Sequence, residues 1–508
     1  MTEELLLKFD SPQALEAFAA DLALFARPGM VLLLKGDLGA GKSTFARAFI
    51  RSLAGGDTSF DVPSPTFTLV QTYDETRIPA AHADLYRLGS EQEVDELGLD
   101  DLLKTSVLIV EWPEFILDQP FPNRLLIRLE GAGSSRDVTL APSGAWRQVL
   151  DRNTAIRRFL ATSRWHGATR RFLEGDASFR RYETLHMNDE QAILMDMPAK
   201  PDGPIVKDGK PYSAIAHLAE DIHAVVAVNA ELISRGYAAP AAEAFDLERG
   251  LAIIEDLGRN VYGRMRLAGE DMTEPMRAAV EVLAHMAAQA WPDHVRIAGN
   301  GDHVVPAYDL DAQMIEVDLL PSWFWPYVHG TFIPAAELAA FEALWRELLP
   351  LTQRARRVWT LRDYHSPNLL WRPEQAGLKR VGLIDTQDCV LGHPAYDLAS
   401  LLQDARVDIP HDEADRLYRH YIELRKPDPA FDQDDFSLSY AILGAQRATK
   451  ILGIFARLSK RDGKHGYLKH IPRVSRYLEL GLVHPSLSAL KQWFDTHLPR
   501  DKREKGPA

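Results

Sequence analysis

The stretch Gly36-Asp37-Leu38-Gly39-Ala40-Gly41-Lys42-Ser43 decides the fold of the first part of the chain. Its spacing of glycines, lysine and hydroxyl lets backbone N–H groups and a lysine surround the phosphates of a nucleotide. The apolar run 30–34 precedes it with the character of a buried strand, and residues 44–53 follow with the pattern of a helix. A strand, a glycine-rich loop and a helix in this order predict a nucleotide-binding site of the P-loop type.

The residues of this loop have separate tasks in the predicted site. The glycines let the backbone turn its N–H groups toward phosphate oxygens, the lysine reaches the β- and γ-phosphates, and the hydroxyl ligates Mg²⁺. The helix that follows adds the positive end of its dipole. The predicted nucleotide-binding residues are Gly36, Gly39, Gly41, Lys42, Ser43 and Thr44. The alternative, a glycine-rich turn without a ligand, is disfavoured by the strand and helix on either side.

Outward from the loop, the first 143 residues alternate between short apolar runs and amphipathic segments. Ser11 precedes a proline and an apolar-periodic stretch, which indicates a capped helix over residues 12–25. The predicted strands are residues 5–9, 30–34, 68–73, 107–110, 125–129 and 138–140, with a turn at 131–135. This alternation predicts an α/β domain over residues 1–143, with a mostly parallel sheet and helices on its faces.

Downstream segments carry further residues suited to nucleotide hydrolysis. Glu111 follows an apolar strand, the usual place for an acid that holds Mg²⁺ or its water. Asp84 lies in the segment HADLYRL (82–88), and Thr66 lies in the proline-stiffened segment VPSPTF (62–67). Taken singly, Glu111 is also explained as a strand-end charge and Asp84 as a helix cap. Their order after the P-loop favours the functional interpretation.

These segments, GDLGAGKST, VPSPTF, HADLYRL and VEWPE in this order, resemble the TsaE family, the ATPase subunits of the bacterial tRNA threonylcarbamoyladenosine system. The resemblance implies ATP hydrolysis that supports N6-threonylcarbamoylation of adenosine 37 in tRNA, with TsaB-like and TsaD-like partners and tRNA reached only indirectly. By motif, Lys42 holds phosphates, and Ser43 and Glu111 serve Mg²⁺. Asp84 and Thr66 would be catalytic or switch positions. Ser43 stands where the family usually has threonine and supplies the same hydroxyl.

Beyond residue 143 the pattern of predicted helices and strands changes. Residues 144–164 are predicted to form a connector helix with an apolar face. Residues of about 165–260 are strand-rich and then helical, and residues of about 261–500 are mainly helical apart from a strand-rich patch at 358–384. A small β-containing lobe followed by a larger helical lobe predicts a bilobal, protein-kinase-like α+β domain over residues 165–500.

The segments RDYHSPN (362–368) and GLID (382–385) contain the predicted second active site. In kinases one aspartate orients the substrate hydroxyl and accepts its proton, while an asparagine and a later aspartate bind Mg²⁺. Asp363, Asn368 and Asp385 match these roles in that order. Strand-like residues 369–371 and 381–384 predict a hairpin that brings the three together. The alternative is an acidic loop followed by an unrelated strand-end aspartate.

The predicted ATP contacts of the second domain are less sharply defined. The segment GDASFRRY (175–182) lies where a phosphate-covering hairpin is expected, with Ser178 and Arg180 as candidate contacts. The segment LAIIEDLG (251–258) has the pattern of a strand that leads into a hinge between the lobes. Backbone groups there are expected to bind adenine, which makes Glu255 and Leu257 candidates.

The segments GDASFRRY, LRDYHSPNLLW, VGLIDTQDCVLGHPAYDLASLL and QRATKILGIFARL resemble the AmgK family of aminoglycoside-phosphotransferase-like kinases. The resemblance implies ATP-dependent phosphorylation of the anomeric hydroxyl of N-acetylmuramate and N-acetylglucosamine in peptidoglycan recycling. It assigns Asp363 as the base and Asn368 and Asp385 to Mg²⁺, so that each domain uses its own ATP and Mg²⁺. Candidate sugar-site residues, each also explained by a structural role, are Asp388, Tyr308, Asp309, Glu316 and Arg447.

Two departures from the wider kinase superfamily bear on the second site. Leu361 stands two residues before the catalytic aspartate, where a histidine is usual. The strand 192–196 lacks the usual phosphate-binding lysine, and Arg180 or Arg181 is a candidate replacement.

The function of the second domain has alternatives. An aminoglycoside, choline or another amino alcohol is the alternative acceptor, since a fold does not determine a substrate. A regulatory nucleotide sensor is the alternative role for either domain. A cationic acceptor would need an acidic site, whereas the carboxylate of N-acetylmuramate would need a cation such as Arg447 or Lys450.

The composition is that of an ordinary globular protein, with 46% hydrophobic and 26% charged residues among 508. A net charge of −14 disfavours a nucleic-acid-binding face, which needs basic residues. The single cysteine, Cys389, excludes an intramolecular disulfide and a cysteine-rich zinc site. The acidic start MTEELLLKFD lacks signal-peptide features, and the apolar runs are too short to span a membrane. We therefore expect a cytoplasmic protein without a membrane partner.

Overall fold

The structure, a computed structural model, describes residues 4–131, 133–174, 180–199, 203–297 and 299–505. The chain divides into two compact units. The first comprises Met1–Met197 with Leu251–Ile253, and the second comprises Pro198–Gly250 with Ile254–Ala508. The first unit thus contains the segment predicted as the P-loop domain, the predicted connector helix and the first strands predicted for the small lobe.

A seven-stranded sheet forms the centre of the first unit. Its strands are β1 (Leu5–Phe9), β2 (Val31–Lys35), β3 (Val70–Tyr73), β4 (Ala80–Asp84), β5 (Val107–Glu111), β6 (Arg124–Glu130) and β7 (Arg136–Pro142). Their order across the sheet is β1-β7-β6-β2-β5-β4-β3. The central strands β6, β2, β5 and β4 pair in parallel, and the outer strands pair antiparallel. The predicted sheet with a parallel centre is confirmed.

Helices cover both faces of this sheet. The helices of the first unit are α1 (Pro12–Ala23), α2 (Lys42–Leu53), α3 (Glu91–Asp95), α4 (Leu99–Leu103) and α5 (Ala145–Ala161). Leu32 and Leu34 of β2 share a core with apolar residues of α1 and α2, whereas Val31 and Leu33 share a core on the opposite face with residues of α3 and α4. This alternation follows from the two-residue period of a strand. The predicted Ser11 cap is confirmed, since its side chain accepts the N–H of Ala14.

The first unit continues past α5 into an antiparallel meander, β8 (Thr169–Leu173), β9 (Arg181–Met187) and β10 (Glu190–Asp196). Both α5 and β8 contact α1. Arg170 of β8 is 4% exposed, and its guanidinium lies 3.0 Å from Asp21 Oδ2 of α1 and 2.7 Å from Glu183 Oε2 of β9. Arg181 lies 3.6 Å above the ring of Phe25 and donates to Glu183 at 3.0 Å. Buried charge therefore connects the meander to the P-loop segment.

The strands of the rest of the chain are short. They are β11 (Ile205–Lys207), β12 (Lys210–Pro211), β13 (Ala242–Asp246), β14 (Leu251–Glu255), β15 (His294–Ile297), β16 (Gly301–Val304), β17 (Val358–Thr360), β18 (Leu369–Trp371), β19 (Val381–Leu383) and β20 (Val390–Gly392). The strands β18 and β19 form the predicted antiparallel hairpin, with Leu369 opposite Leu383 and Trp371 opposite Val381. The strand β17 pairs with β20.

Helices dominate the second unit, as predicted. They are α6 (Tyr212–Ala216), α7 (His223–Ser234), α8 (Tyr262–Leu267), α9 (Thr273–Ala288), α10 (Leu310–Val317), α11 (Trp325–His329), α12 (Ala335–Leu348), α13 (Ala395–Leu402), α14 (His411–Arg425), α15 (Gln433–Asp462), α16 (Ile471–Leu482), α17 (Ser488–His497) and α18 (Arg500–Lys505). The 30-residue helix α15 contributes to both large cores of this unit. Among the described helices, none is long and apolar enough to cross a bilayer.

Candidate active sites

The predicted phosphate loop connects β2 to α2. Gly36 must be glycine because a Cβ there would lie 2.4 Å from the carbonyl oxygen of Leu129, and Gly41 has φ +106° directly before the helix. Lys42 Nζ donates to the carbonyl oxygens of Gly36 at 2.7 Å and Asp37 at 2.9 Å. Desolvation lowers the pKa of Lys42, although Glu111 and Asp84 oppose this effect. The loop thus holds a lysine close to its own backbone, in reach of a phosphate that would occupy the loop.

The carboxyl ends of neighbouring parallel strands bring the predicted acids to this loop. Glu111 ends β5 and Asp84 ends β4, and the two are opposite each other in the sheet register. Ser43 Oγ donates to Glu111 Oε2 at 2.8 Å, so the predicted hydroxyl and carboxylate ligands of Mg²⁺ meet. His82 Nε2 lies 2.9 Å from Glu111 Oε1. His82 was not predicted, although its position two residues before Asp84 places both side chains on one face of β4.

Thr66 and Asp84 form the second pair at this edge. Thr66 Oγ1 donates to Asp84 Oδ2 at 3.0 Å, and Ser64 Oγ lies 2.8 Å from Thr66 Oγ1. Asp84 therefore ends a strand and does not cap a helix. Leu69 and Trp112, which flank the site in the chain, have φ of +64° and +57°, a conformation that costs energy for non-glycine residues and clusters at functional sites. The Trp112 ring lies 3.6 Å from Lys42 Nζ.

In the second unit, the segment that precedes Asp363 is held by a buried carboxylate. Asp397 of α13 accepts the backbone N–H of Leu361 at 2.6 Å and that of Arg362 at 2.9 Å. Arg362 has φ +66°, so this geometry is strained and is maintained by its contacts. Burial raises the pKa of Asp397 to about 7, although the two N–H groups lower it. Asp397 was not singled out from the sequence, although it lies in the quoted segment AYDLASLL.

The structure brings Asp363, Asn368 and Asp385 together. Asn368 Nδ2 donates to the Asp363 carbonyl oxygen at 3.1 Å and lies 3.5 Å from Asp385 Oδ2. The β18–β19 hairpin causes this proximity, because the two residues flank its open end and Ile384 N donates to the Asn368 carbonyl oxygen at 3.1 Å. Asn368 and Asp385 present oxygen ligands of the kind Mg²⁺ uses together with phosphates and water.

The Asp363 carboxylate lies near three basic side chains. Its side chain is 39% exposed, and His365 Nε2 lies 3.9 Å from Oδ1. Desolvation raises the pKa of Asp363, but His365, Lys450 and Arg447 outweigh it and hold the pKa well below the ordinary value. Asp363 is therefore ionised at neutral pH and suited to accept a hydrogen bond from a hydroxyl group.

Behind this loop, Glu316 is the centre of a buried polar network. Arg362 forms an ion pair with it, Lys450 Nζ lies 2.7 Å from Oε1, and Tyr308 Oη donates to Oε2 at 2.5 Å. Burial opposes ionisation, but Lys450 and Arg362 lower the pKa of Glu316 to about 2. Tyr308 is 1% exposed and Glu316 is 0% exposed, so these two expected sugar-site residues lie inside the protein. Their side chains are hydrogen-bonded to each other, and Glu316 holds Arg362 through the ion pair.

The other sugar-site candidates have different surroundings. Asp388 accepts the backbone N–H of Ala219 at 2.7 Å, and burial raises its pKa. Asp309 caps α10 by accepting the N–H of Ala312 at 2.9 Å, which gives it a structural task. Arg447 of α15 is 5% exposed and is among the groups that lower the pKa of Asp363. Asp388 and Arg447 thus remain candidates near the reacting carboxylate.

The predicted nucleotide contacts of the second domain are only partly visible. Ser178 lies outside the described residues, and Arg180 directly precedes β9. Glu255 ends β14, and its N–H donates to the Ala241 carbonyl oxygen at 2.9 Å. Leu257 packs 3.2 Å from the Cβ position of the hairpin residue Gly382. The guanidinium of Arg181, the other candidate for the missing lysine, contacts Phe25 and Glu183.

Comparison with known proteins matches each part of the chain to a family. The model for the threonylcarbamoyl adenosine biosynthesis protein TsaE matches residues 9–138, and the model for the phosphotransferase enzyme family matches residues 169–433. An N-acetylmuramate/N-acetylglucosamine kinase of Caulobacter vibrioides is 38% identical over 70% of this chain and 98% of its own length. A second kinase of that name, from Pseudomonas aeruginosa, is 32% identical over 62% of this chain and 84% of its own length.

A third relative corresponds to the N-terminal part. The tRNA threonylcarbamoyladenosine biosynthesis protein TsaE of Bacillus subtilis is 41% identical over 28% of this chain and 87% of its own length. The relatives thus match different segments, and this chain contains both. The chain therefore belongs to the phosphotransferase enzyme family and to the TsaE family at once, as an enzyme that fuses an N-terminal TsaE ATPase domain to a C-terminal kinase domain.

Proposed function

We propose that the C-terminal domain phosphorylates the anomeric hydroxyl of N-acetylmuramate and N-acetylglucosamine with ATP, and supplies sugar 1-phosphates to peptidoglycan recycling. The names of the Caulobacter and Pseudomonas relatives support the choice of acceptor. The observation that carries the kinase chemistry is the proximity of Asn368 to both Asp363 and Asp385.

In this reaction Asp363 orients the anomeric hydroxyl and takes its proton. The sugar oxygen forms a bond to the γ-phosphorus while the bond from that phosphorus to the bridging oxygen of the β-phosphate breaks, and ADP leaves. Asn368 and Asp385 would hold Mg²⁺, which would neutralise the charge of the phosphates. Asp397 and Glu316 keep Arg362, and with it the Asp363 loop, in place.

The kinase proposal is tested by an acceptor comparison with purified protein and Mg-ATP. N-acetylmuramate, N-acetylglucosamine, choline and kanamycin are offered in turn, and ³¹P NMR locates the phosphate on each product. An anomeric phosphate on an N-acetyl sugar, absent with Asp363→Asn, is the expected result. Turnover of choline or kanamycin alone would assign the same centre to another acceptor.

For the N-terminal domain, we propose an ATPase that supports formation of N6-threonylcarbamoyladenosine at position 37 of tRNA, together with TsaB-like and TsaD-like proteins. Lys42 would hold the β- and γ-phosphates, and Ser43 and Glu111 would hold Mg²⁺. Thr66 and Asp84 would orient the attacking water, since their side chains already form a hydrogen bond at the same sheet edge. The relative from Bacillus subtilis supports this role by its name.

Exposed apolar side chains around the phosphate loop support a partner surface there. Leu38 is 86% exposed, Phe67 is 82% exposed and Tyr86 is 59% exposed. Leu38 lies in the P-loop, Phe67 is next to Thr66, and Tyr86 lies two residues after Asp84, so we expect a protein that covers them to cover the nucleotide as well. We expect ATP turnover to rise when TsaB-like and TsaD-like proteins are added, and Lys42→Ala to abolish that rise. Unchanged turnover of the wild-type domain with both partners present would contradict the proposal.

A further inference from the structure

Arg447 is a buried cation that makes no hydrogen bond in the part of the chain that the structure describes. Its side chain is 5% exposed, and its Nε has no hydrogen-bond acceptor. Within the described residues its guanidinium forms neither an ion pair nor a hydrogen bond, and its nearest ring contact is Tyr396, whose ring centre lies 5.9 Å away. The carboxylates of Asp363 and Asp397 feel the charge of Arg447, but neither accepts a hydrogen bond from it, so its donors are left for an anionic group of a ligand.

The neighbours of Arg447 on α15 are already engaged. Gln446 Nε2 donates to Glu316 Oε2 at 2.9 Å, and Lys450 Nζ lies 2.7 Å from Glu316 Oε1. Glu316 also pairs with Arg362, so its carboxylate is fully used. The sequence offered Arg447 and Lys450 as candidate cations for the carboxylate of N-acetylmuramate. Lys450 is neutralised by its ion pair with Glu316, whereas the guanidinium of Arg447 forms no ion pair among the described residues.

Arg447 also lies beside the loop that carries the reacting group. Tyr396, over whose ring it lies, is adjacent in α13 to Asp397, and Asp397 fixes the backbone immediately before Asp363. The charge of Arg447 contributes to the low pKa of Asp363, as expected for a nearby cation. A substrate whose hydroxyl reaches Asp363 thus comes within range of this guanidinium.

We propose that Arg447 is a specificity-determining residue that binds the lactyl carboxylate of N-acetylmuramate. N-acetylglucosamine lacks this group, so both sugars present the same hydroxyl to Asp363 but only one gains the ion pair. The planar guanidinium suits a carboxylate because it can donate two parallel hydrogen bonds. This inference rests on the proposed kinase function and adds the residue that separates its two acceptors.

The test compares kcat and KM for both sugars in the full chain. The variant Arg447→Met keeps the length of the side chain and removes the charge, and Arg447→Lys keeps the charge without the planar fork. Arg457→Met is the matched control, because Arg457 lies on the same helix, has an Nε without a partner, and lies 5.5 Å from the ring centre of Tyr212. It is about 15 Å further along the helix.

For Arg447→Met we expect kcat/KM with N-acetylmuramate to fall about 10- to 100-fold, mainly through KM, as for loss of a charge-assisted hydrogen bond. The value with N-acetylglucosamine should change by less than about threefold, since no carboxylate is lost. Arg447→Lys should retain part of the preference, and Arg457→Met should leave the ratio of the two sugars unchanged.

A substrate-side measurement repeats the test without a mutation. The lactyl amide of N-acetylmuramate is neutral and of nearly the same shape, so wild-type enzyme should use it with the same loss that Arg447→Met shows with the acid. Equal losses with both sugars in Arg447→Met would overturn the inference, since they would place the residue on the phosphoryl group or in the fold. An amide used as well as the acid would overturn it too. Wild-type enzyme that phosphorylates neither sugar would instead refute the proposed function on which it rests.

Discussion

At the scale of single residues, Asp363 is the group on which the kinase reaction depends. Replacing it by asparagine keeps the size of the side chain and removes the proton acceptor. We expect kcat to fall about 10²- to 10⁴-fold, the usual contribution of a general base. An ATP-coupled assay with N-acetylglucosamine measures the loss, and Asp415→Asn on the exposed side of α14 is the control. Retention of more than a tenth of the wild-type rate would show that the loop only positions the hydroxyl.

The ionisation of Asp363 also predicts how kinase activity depends on pH. The pKa of Asp363 is held below its ordinary value, so the carboxylate stays ionised as the pH falls toward that value. Kinase activity should therefore not decline through Asp363 between about pH 7 and pH 5, because an ordinary aspartate already titrates near about 4. The measurement is the pH dependence of kcat/KM with either sugar. An acid limb near pH 6 that disappears with Asp363→Asn would contradict this.

Glu316 stabilises the folded protein through its ion pairs with Arg362 and Lys450. Its pKa falls from an ordinary 4.5 to about 2, so its stabilising effect is complete above about 4.5 and is lost as the pH drops toward 2. Glu316→Gln leaves Arg362 and Lys450 buried without their anion, which should cost about 3–5 kcal/mol of unfolding free energy. Urea denaturation at neutral pH measures this, with the exposed Glu347→Gln as control. The difference between Glu316→Gln and wild type should shrink in acid, and a constant difference would refute the linkage.

The positions of some candidate site residues could be predicted from the sequence, and those of others could not. The proximity of Asn368 and Asp385 was predictable because a short hairpin separates them, and Asp363 lies only five residues before Asn368. The burial of Tyr308 and Glu316 was not predictable, because it depends on which helices cover them, and this depends on tertiary packing. Ranking Arg447 above Lys450 likewise required knowledge of where Glu316 lies.

At the scale of elements, the six strands predicted for the first domain agree with the structure to within a few residues, whereas β4, which ends at Asp84, was not predicted. The apolar runs at 30–34 and 107–110 correspond to the central parallel strands β2 and β5. Helix α1 begins at Pro12, directly after its cap Ser11. The positions of elements relative to one another were less accessible. No pattern in the sequence indicated that α15 would contribute to both large cores of the second unit, since helix–helix contacts depend on distant residues.

One such contact is made at Gly453 of α15. A Cβ there would lie 2.4 Å from the carbonyl carbon of Leu319 and 2.5 Å from its oxygen, so the helix approaches backbone that cannot move aside easily. Gly453→Ala should therefore destabilise the protein by about 1–3 kcal/mol or more through overpacking. Gly444→Ala on the same helix is the control, because its Cβ would meet only the flexible end of Gln403 at 3.0 Å. Thermal unfolding should separate the two, and equal midpoints would mean that α15 can shift.

At the scale of the whole chain, the junction of the two families is not a flexible tether. Asp21 of the TsaE segment and Glu183 of the kinase strand β9 share the guanidinium of Arg170, and Arg157 of α5 donates to Asp21 at 2.8 Å. Sequence could predict both domains but not this contact, because the paired residues are far apart in the chain and carry no motif. The junction implies that α1 and the meander of β8, β9 and β10 are stabilised together.

Arg170→Met tests this coupling in the full chain. It removes one of the two cations of each carboxylate, because Arg157 still pairs with Asp21 and Arg181 still pairs with Glu183. We expect a cost of about 2–3 kcal/mol from the lost charged hydrogen bonds, whereas breaking the exposed pair of Lys104 and Asp101 with Asp101→Asn should cost at most about 1 kcal/mol. Hydrogen exchange then shows where the loss falls. We expect protection to decrease in α1 and in β8–β9 alike, because each side loses the same partner. If protection falls only in β8–β9 while α1 is unchanged, the two families are joined by sequence alone, and the ATPase segment folds without help from the kinase strands.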